Sequence, residues 1–288
     1  MNILLFLPAA ILIIIVYCIP IFRYTWLSLH ASSVMTGLKI IPNNGGNWNR
    51  IISDDRFWQD AFQTFRFASI SVLFEILLAI AIALLLNQKF KGRGIVRALS
   101  LLPWALPTTV MALGWRWIFN TPYGPIEQII SLFNLEALNI LSNPGVTWIA
   151  TVIADVWKTT PFIALILLAG LQSIPYELYE AFRLEGGNKI QAFIKITLPL
   201  LKPYLVLSIL FRMAQAFGVF DLIQVMTGGG PASSTESLGL YAYINAMRFL
   251  DFGYSATIII FTFTLLLSFC LLSWLFIGQT KNIISSDR

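Results

Sequence analysis

A few charged and amide side chains stand inside runs otherwise fit for lipid, and they carry the chemistry of this chain. Asp155 and Lys158 lie three positions apart in "DVWKTTP", followed by Thr159, Thr160 and Pro161. That spacing puts both charges on one face of a helix. A charge at the centre of a bilayer costs about 2.5–3.5 kcal/mol on insertion scales, so such residues face a cavity or each other. Two readings are open. The two residues form a self-neutralising pair that lets the helix insert, or they form a polar patch along a solute path. Thr159, Thr160 and the helix-breaking Pro161 favour the path, because freed carbonyls need partners. Arg212, Gln215 and Asp221 punctuate a later run. Arg212 and Asp221 lie about 13 Å apart along a helix, too far to pair. Glu75 and Arg116 stand in two further runs, where pairing within the bundle and pairing across to another subunit both remain open.

Other chemistries are excluded or weak. An intramembrane enzyme needs a nucleophile with its base, or a set of metal ligands. The one histidine, His30, has no Cys or His partner nearby and reads as the end of the first apolar run. Cys18 and Cys270 read as small buried residues, not as a disulfide or metal pair. There is no Gly-x-x-x-x-Gly-Lys-Ser/Thr phosphate loop, so no bound nucleotide is expected on this chain. The glycines of "TGGGPASSTE" (Thr227–Glu236) lack the Lys-Ser/Thr of such a loop and read as a flexible link. The net charge of +5 is spread over loops and does not suggest nucleic acid.

The densest polar stretch is "YEAFRLEGGNKIQAFIKITLPLLKP", Tyr179–Pro203. Pro175 suits a first helical turn, where a missing N–H costs nothing, and Glu177 and Glu180 lie near that positive helix start. Leu178, Ala181 and Phe182 form an apolar stripe. Gly186 and Gly187 stop the helix, Asn188 caps a second one, and Ile190, Phe193 and Ile196 give that helix its apolar side. Pro199 is expected to end it before the next span. The result is a glycine-tipped helical elbow, either lying on lipid headgroups or serving as a lever for another protein.

The elements that must position these groups can be read from composition. The chain has 288 residues, 57% hydrophobic and only 11% charged, with a mean hydropathy of +0.77. A soluble domain carries about 25% charged residues, so this is a membrane protein. A span needs about 20 apolar residues. Candidates are Ile3–Leu27, Ala61–Leu86, Ala98–Phe119, Val146–Leu171, Tyr204–Met226 and Ala256–Ile277. Continuous apolar runs of this length are helices, not barrel strands. The first has no preceding Lys or Arg and reads as an uncleaved span. Lys89, Lys91, Arg93 and Arg97 come after the second span. Arg183, Lys189, Lys195 and Lys202 come after the fourth, and Lys281 and Arg288 close the tail. The positive-inside rule then places both termini and the elbow in the cytoplasm. Trp26, Trp48, Trp58, Trp115 and Trp117 near span ends suit an interfacial belt.

The elbow resembles the "EAA" loop of bacterial ABC importer permeases. Glu180-Ala181, Glu185-Gly186, Phe193, Ile196, Leu198-Pro199 and Pro203 match that family's spacing. Phe182, Glu185 and Gly187 depart mildly from its usual residues. "LLPWALPTTVMALGWRWIFNTPYGPI" and the stretch Phe220–Ala256 are similar to the first permease subunit of the carbohydrate type. The resemblance covers nearly the whole chain. It implies an all-α polytopic membrane protein of about six transmembrane helices with the type I importer permease fold. The whole of 1–288 would be one permease domain, and 172–202 its cytoplasmic coupling loop. Implied partners are a second permease subunit, two ATPase subunits that hold ATP and Mg, and a periplasmic or lipid-anchored solute-binding protein. The setting would be the bacterial inner membrane and its lipid, and the solute a carbohydrate or polyol. Glu180, Ala181, Glu185, Gly186 and Gly187 would contact the ATPase. Matching Trp157 and Pro161 to the family pattern points to Asp155, Lys158, Thr159 and Phe162 as solute-path residues. Counting back from Gly229, Gly230 and Pro231 points to Gln215, Ala216 and Val219. Tyr123-Gly124-Pro125 would mark a docking turn for the binding protein. The alternative is a stand-alone secondary transporter driven by an ion gradient. It would show inverted repeats, none of which is evident here, and it leaves the elbow without a purpose.

Overall fold

The architecture is that of a computed structural model, which describes residues 7–133, 136 and 138–286, with side chains as far as 273. Residues 3–6 of the first expected span and Arg288 of the basic tail lie outside the described residues. The described helices, in chain order, are α1 (Leu7–Ser28), α2 (Gly46–Ser53), α3 (Asp55–Asn87), α4 (Arg93–Ala105), α5 (Thr108–Ile118), α6 (Pro125–Leu132), α7 (Pro144–Gln172), α8 (Tyr176–Leu184), α9 (Lys189–Phe217), α10 (Asp221–Met226), α11 (Leu238–Met247) and α12 (Phe252–Ser286). A two-residue hairpin, β1 (His30–Ala31) and β2 (Ile41–Pro42), comes after α1. Among the described residues five helices are long and apolar enough to cross a bilayer, and α4 with α5 makes a bent sixth. This agrees with the expected six.

Two expected spans differ in detail. The third is not a straight Ala98–Phe119 helix, because α4 and α5 meet at 88°. Pro107 causes the break. The residue before a proline is pushed out of the helical region, and Leu106 is extended at φ −68° and ψ 138°. The fifth is not Tyr204–Met226. Helix α9 starts at Lys189, runs through Pro199 and Pro203, and ends at Phe217, and α10 begins afresh at Asp221. Pro199 therefore does not end the second elbow helix. The turn ahead of it, Phe193–Thr197, widens to π geometry, with Leu198 N–H bonding to Phe193 O. A proline offers no N–H to the carbonyl four residues back and crowds it with its ring. The same arrangement recurs in α1, where the π-turn Ile14–Cys18 and then Ile19 precede Pro20. Pro161 likewise fails to break α7. Hydroxyls beside it tie down the preceding turn, Thr159 Oγ1 to Asp155 O at 2.7 Å and Thr160 Oγ1 to Val156 O at 2.6 Å.

The chain divides into two compact units. One comprises residues up to Thr64 together with those from Glu236 onward. Its core joins Ile51, Phe57, Leu238, Tyr241, Tyr254 and Ile258. Gly253 is forced here, since a Cβ would lie 2.3 Å from His30 O. Asn47 Nδ2 donates to Ser28 O and His30 O, closing the hairpin onto the end of α1. The His30 ring lies tilted against Trp26 and bonds its carbonyl, so it ends the first span as expected. Cys18 is exposed and Cys270 half-buried, which corrects the expectation that both are buried.

The other unit spans Phe65–Thr235. One of its cores gathers Phe67, Met111, Phe119, Trp148, Leu222 and Met226. A second packs α3, α7 and α9 around Ala83, Ile163, Leu167 and Leu201. Gly170 allows α7 to touch α9, because a Cβ there would lie 2.7 Å from the Tyr204 ring.

Asp54, in the loop before α3, accepts hydrogen bonds from Tyr241 Oη at 2.6 Å and from Tyr254 Oη. Burial pushes its carboxyl up, but the two phenols, the Phe57 N–H and Arg50 together hold it below the usual carboxylate range. Burial and the same carboxylate push Tyr241 up to about 12. A carboxyl lowered in the folded state stabilises above its unfolded value, about 3.9, and loses that contribution as pH falls through the folded value. Asp54→Asn should therefore melt below the parent in detergent at neutral pH, with the gap closing as the pH is lowered below the ordinary carboxylate value. A gap independent of pH would show that the tyrosine bonds do not select the ionised form.

Candidate functional site

Two places in the Phe65–Thr235 unit carry the predicted residues. The first is the elbow. Helix α8 starts just after Pro175, which stands at the N-cap position and not in the first turn, and ends where Gly186 turns left-handed at φ +85°. Only glycine adopts that conformation without strain. Gly187 N–H bonds to Phe182 O at 3.0 Å, and its missing side chain makes room for the Phe182 ring. Asn188 Oδ1 accepts from Gln191 N–H at 2.8 Å while Gln191 Oε1 accepts from Asn188 N–H at 3.0 Å. This reciprocal capping box starts α9, as the sequence led one to expect. Glu180, Ala181, Glu185 and Gly186 are exposed and Gly187 is half-buried. Apolar Leu184 and Ile190 are 89% and 72% exposed beside them.

The second place is an ionic cluster shared by α3, α7 and α9. Arg212 Nε donates to Glu75 Oε2 at 2.5 Å and Arg212 Nη2 to Glu75 Oε1 at 2.7 Å. Nη2 also reaches Asp155 Oδ2 at 2.9 Å, and Nη1 donates to Gln215 Oε1 at 3.0 Å. Glu75 is fully buried, Arg212 3% exposed and Asp155 6%. The planar guanidinium forks onto one carboxylate and bridges to the other. Of the two readings for Asp155 and Lys158, the self-neutralising pair gives way, because Asp155 pairs with Arg212 instead. Lys158 Nζ donates to Leu106 O at 2.5 Å and Trp104 O at 3.4 Å. It satisfies carbonyls exposed by the Pro107 break.

The structure joins Asp155 and Gln215 through Arg212. Thr159 is tied back to Asp155 O. Phe162 lies nearby in a different role, stacked on Trp104 at 4.8 Å and tilted toward Phe211 at 5.3 Å. Val219 is not brought to the cluster, since it packs against the core around Phe119 and Trp148. Ala216 is buried within α9. Glu75 resolves as Arg212's partner within this chain, and Arg116 as a donor to Val225 O at 3.3 Å. Reading the sequence left Glu75 and Arg212 out of the site and missed Trp104 and Phe211. Two ionisable residues in apolar runs were the signal for the first pair. Nothing local pointed to the second.

A family of inner-membrane transport components matches the chain over residues 75–277, which holds the elbow and the whole ionic cluster; its description is "Binding-protein-dependent transport system inner membrane component". The chain belongs to this family. It is therefore a multi-pass permease component of the inner membrane. The trehalose/maltose transport system permease protein MalF of Thermococcus litoralis is 41% identical over 97% of this chain and 94% of its own length. The sulfoquinovosyl glycerol transport system permease protein SmoG of Agrobacterium fabrum is 35% identical over 98% and 91%. The trehalose transport system permease protein SugA of Mycobacterium tuberculosis is 32% identical over 89% and 81%. A bacterial alginate ABC transporter, solved with an alginate pentasaccharide-bound periplasmic protein, superposes with a TM-score of 0.81 at 19% identity, over 93% of this chain and 91% of that one. This family's type I permease fold is thus the fold of the present chain.

Removing one partner from a buried ion pair costs about 3–5 kcal/mol, because the other charge is stranded. Arg212→Leu strands two carboxylates and should lower the detergent melting temperature far more than Asp155→Asn, which leaves Glu75 and Arg212 paired. Equal losses in the two variants would show that Arg212 does not hold the cluster together.

Proposed function

We infer that this permease serves an ATP-driven importer of carbohydrate, a di- or oligosaccharide, glycoside or polyol. The observation that carries the reading is the family membership combined with the elbow, which presents Leu184 and Ile190 to a partner. In this reading residues 172–202 are the cytoplasmic coupling loop, and Glu180, Ala181, Glu185, Gly186 and Gly187 form the ATPase contact. A second permease pairs with the chain and two ATPase subunits dock below. A periplasmic or lipid-anchored binding protein delivers the solute. ATP and Mg are held by the ATPase, and this permease binds neither. A stand-alone secondary transporter would have no use for the elbow.

The ionic cluster supports a neutral solute. Arg212 is engaged by two carboxylates and an amide, and Lys158 by two carbonyls. An anionic solute would find both cations engaged. Trp104, Phe162 and Phe211 supply the aromatic faces that sugar rings stack on, and Asp155 and Gln215 supply acceptors for hydroxyls. Trehalose and maltose, named for two of the relatives, have this neutral chemistry.

The test is a pull-down of the tagged chain from gently solubilised membranes, followed by ATPase assays with sugar-loaded binding proteins. A second permease and an ATPase should elute, with hydrolysis stimulated by one loaded protein. Gly186→Trp forces a bulky residue into a left-handed turn at the exposed tip. It should insert normally and lose the ATPase. Normal co-purification of that variant would sink the coupling role, and a chain that elutes alone yet moves solute down an ion gradient would sink the importer reading.

A further inference from the structure

The proline-widened turn of α9 sits where the elbow joins the fifth span. A π-turn carries one residue more than the α spacing, so it sets the helix before it about 100° out of phase with the helix after it. The phase matters because Arg212 and Gln215 lie farther along the same helix. A wide turn is also a weak point. π-Turns are short interruptions that often mark functional positions, and the bond at this one runs from Leu198 N–H to Phe193 O. A push delivered to the elbow would be absorbed there unless something bridges the turn.

The structure holds such a bridge. Tyr179 Oη, on α8, lies 2.9 Å from Thr197 Oγ1, the last residue of the π-turn. Thr197 is 4% exposed, so its hydroxyl is removed from competing water. A second, looser link runs in parallel, with Lys195 Nζ 5.9 Å from the centre of the Phe182 ring. Tyr179 and Phe182 are three apart and share a face of α8. Among the described residues, the π-turn of α1 at Ile14–Cys18 follows directly on the helix that starts at Leu7.

We propose that the Tyr179–Thr197 hydroxyl pair is a strut carrying movement of the elbow into the fifth span past the π-turn, so that both are positioning residues for transport. This rests on the reading of the elbow as the ATPase contact. With the strut in place α8 and α9 move as one body. Without it the elbow moves with the ATPase while the span lags.

The experiment uses the complete complex in nanodiscs, with Cys18 and Cys270 replaced by Ser and spin labels on Glu177→Cys and Leu207→Cys. Distances are measured without nucleotide and with ATP and vanadate. In the otherwise unaltered chain the separation should be the same in both states. In Tyr179→Phe and Thr197→Val it should change on adding nucleotide. The fraction keeping the parent distance should fall about fivefold, the weight of one ordinary hydrogen bond. Thr197→Ser keeps the hydroxyl and should behave as the parent, and the double variant should be no worse than either single one. Unchanged distances in Tyr179→Phe, or a Thr197→Ser that behaves as Thr197→Val, would overturn the strut. So would loss of the ATPase from Tyr179→Phe, because Tyr179 would then act through docking. A parent chain that never retains an ATPase would instead overturn the coupling reading beneath it.

Discussion

Arg212 is a guanidinium buried where a lone charge could not remain. Its forked contact with Glu75 and its bridge to Asp155 make three membrane helices depend on one side chain. Burial makes the arrangement demanding, because desolvation is offset only if every donor finds an acceptor. Here Nε, Nη1 and Nη2 make four bonds between them, down to Gln215 on Nη1. Well-packed apolar residues would often hold helices together as well or better, so stability alone does not account for the cluster. It places a carboxylate and an amide at fixed positions within the spans, which suits a polar path.

The same demand for satisfied polar groups explains how the spans tolerate their prolines. Lipid offers no hydrogen bonds, so a carbonyl freed by a proline depends on the protein around it. At Pro107 the helix breaks, and Lys158 reaches across from α7 to the exposed carbonyls. Around Pro161 the helix holds, and threonine hydroxyls bond the preceding turn. At Pro20 and Pro199 the turn widens to π geometry. One residue type thus meets three responses, a break, a continued helix and a widened turn. Lys158 serves the broken helix before it can serve a solute, which is why its role differs from that of Asp155 three residues earlier.

The elbow is governed by shorter-range chemistry. Gly186 gives the reversal and Gly187 gives space to Phe182. Asn188 and Gln191 cap each other. The tip is therefore ordered by its own residues, yet it leaves Leu184 and Ile190 uncovered. An ordered elbow with an uncovered apolar edge loses little entropy on binding, because its conformation is already set.

How much was legible depends on range. Caps, glycine turns and apolar run lengths act over a few residues, so the six spans, the elbow's stop at Gly186 and its restart at Asn188 were readable from the chain alone. The proline expectations failed because a proline removes one donor locally while its outcome depends on who supplies another. At Pro199 the helix continued, and at Pro107 it turned by 88°. Of the site, Asp155 and Gln215 were reached from the sequence, and their junction was not. Glu75 and Arg212 are 137 positions apart, and no spacing rule links them. The sequence by itself determined that charges had to be paired inside the membrane, because lipid penalises them wherever they fall. Only the tertiary structure decided that Arg212 takes Glu75 and Asp155 while Lys158 takes backbone carbonyls, because pairing is settled by which helices pack side by side.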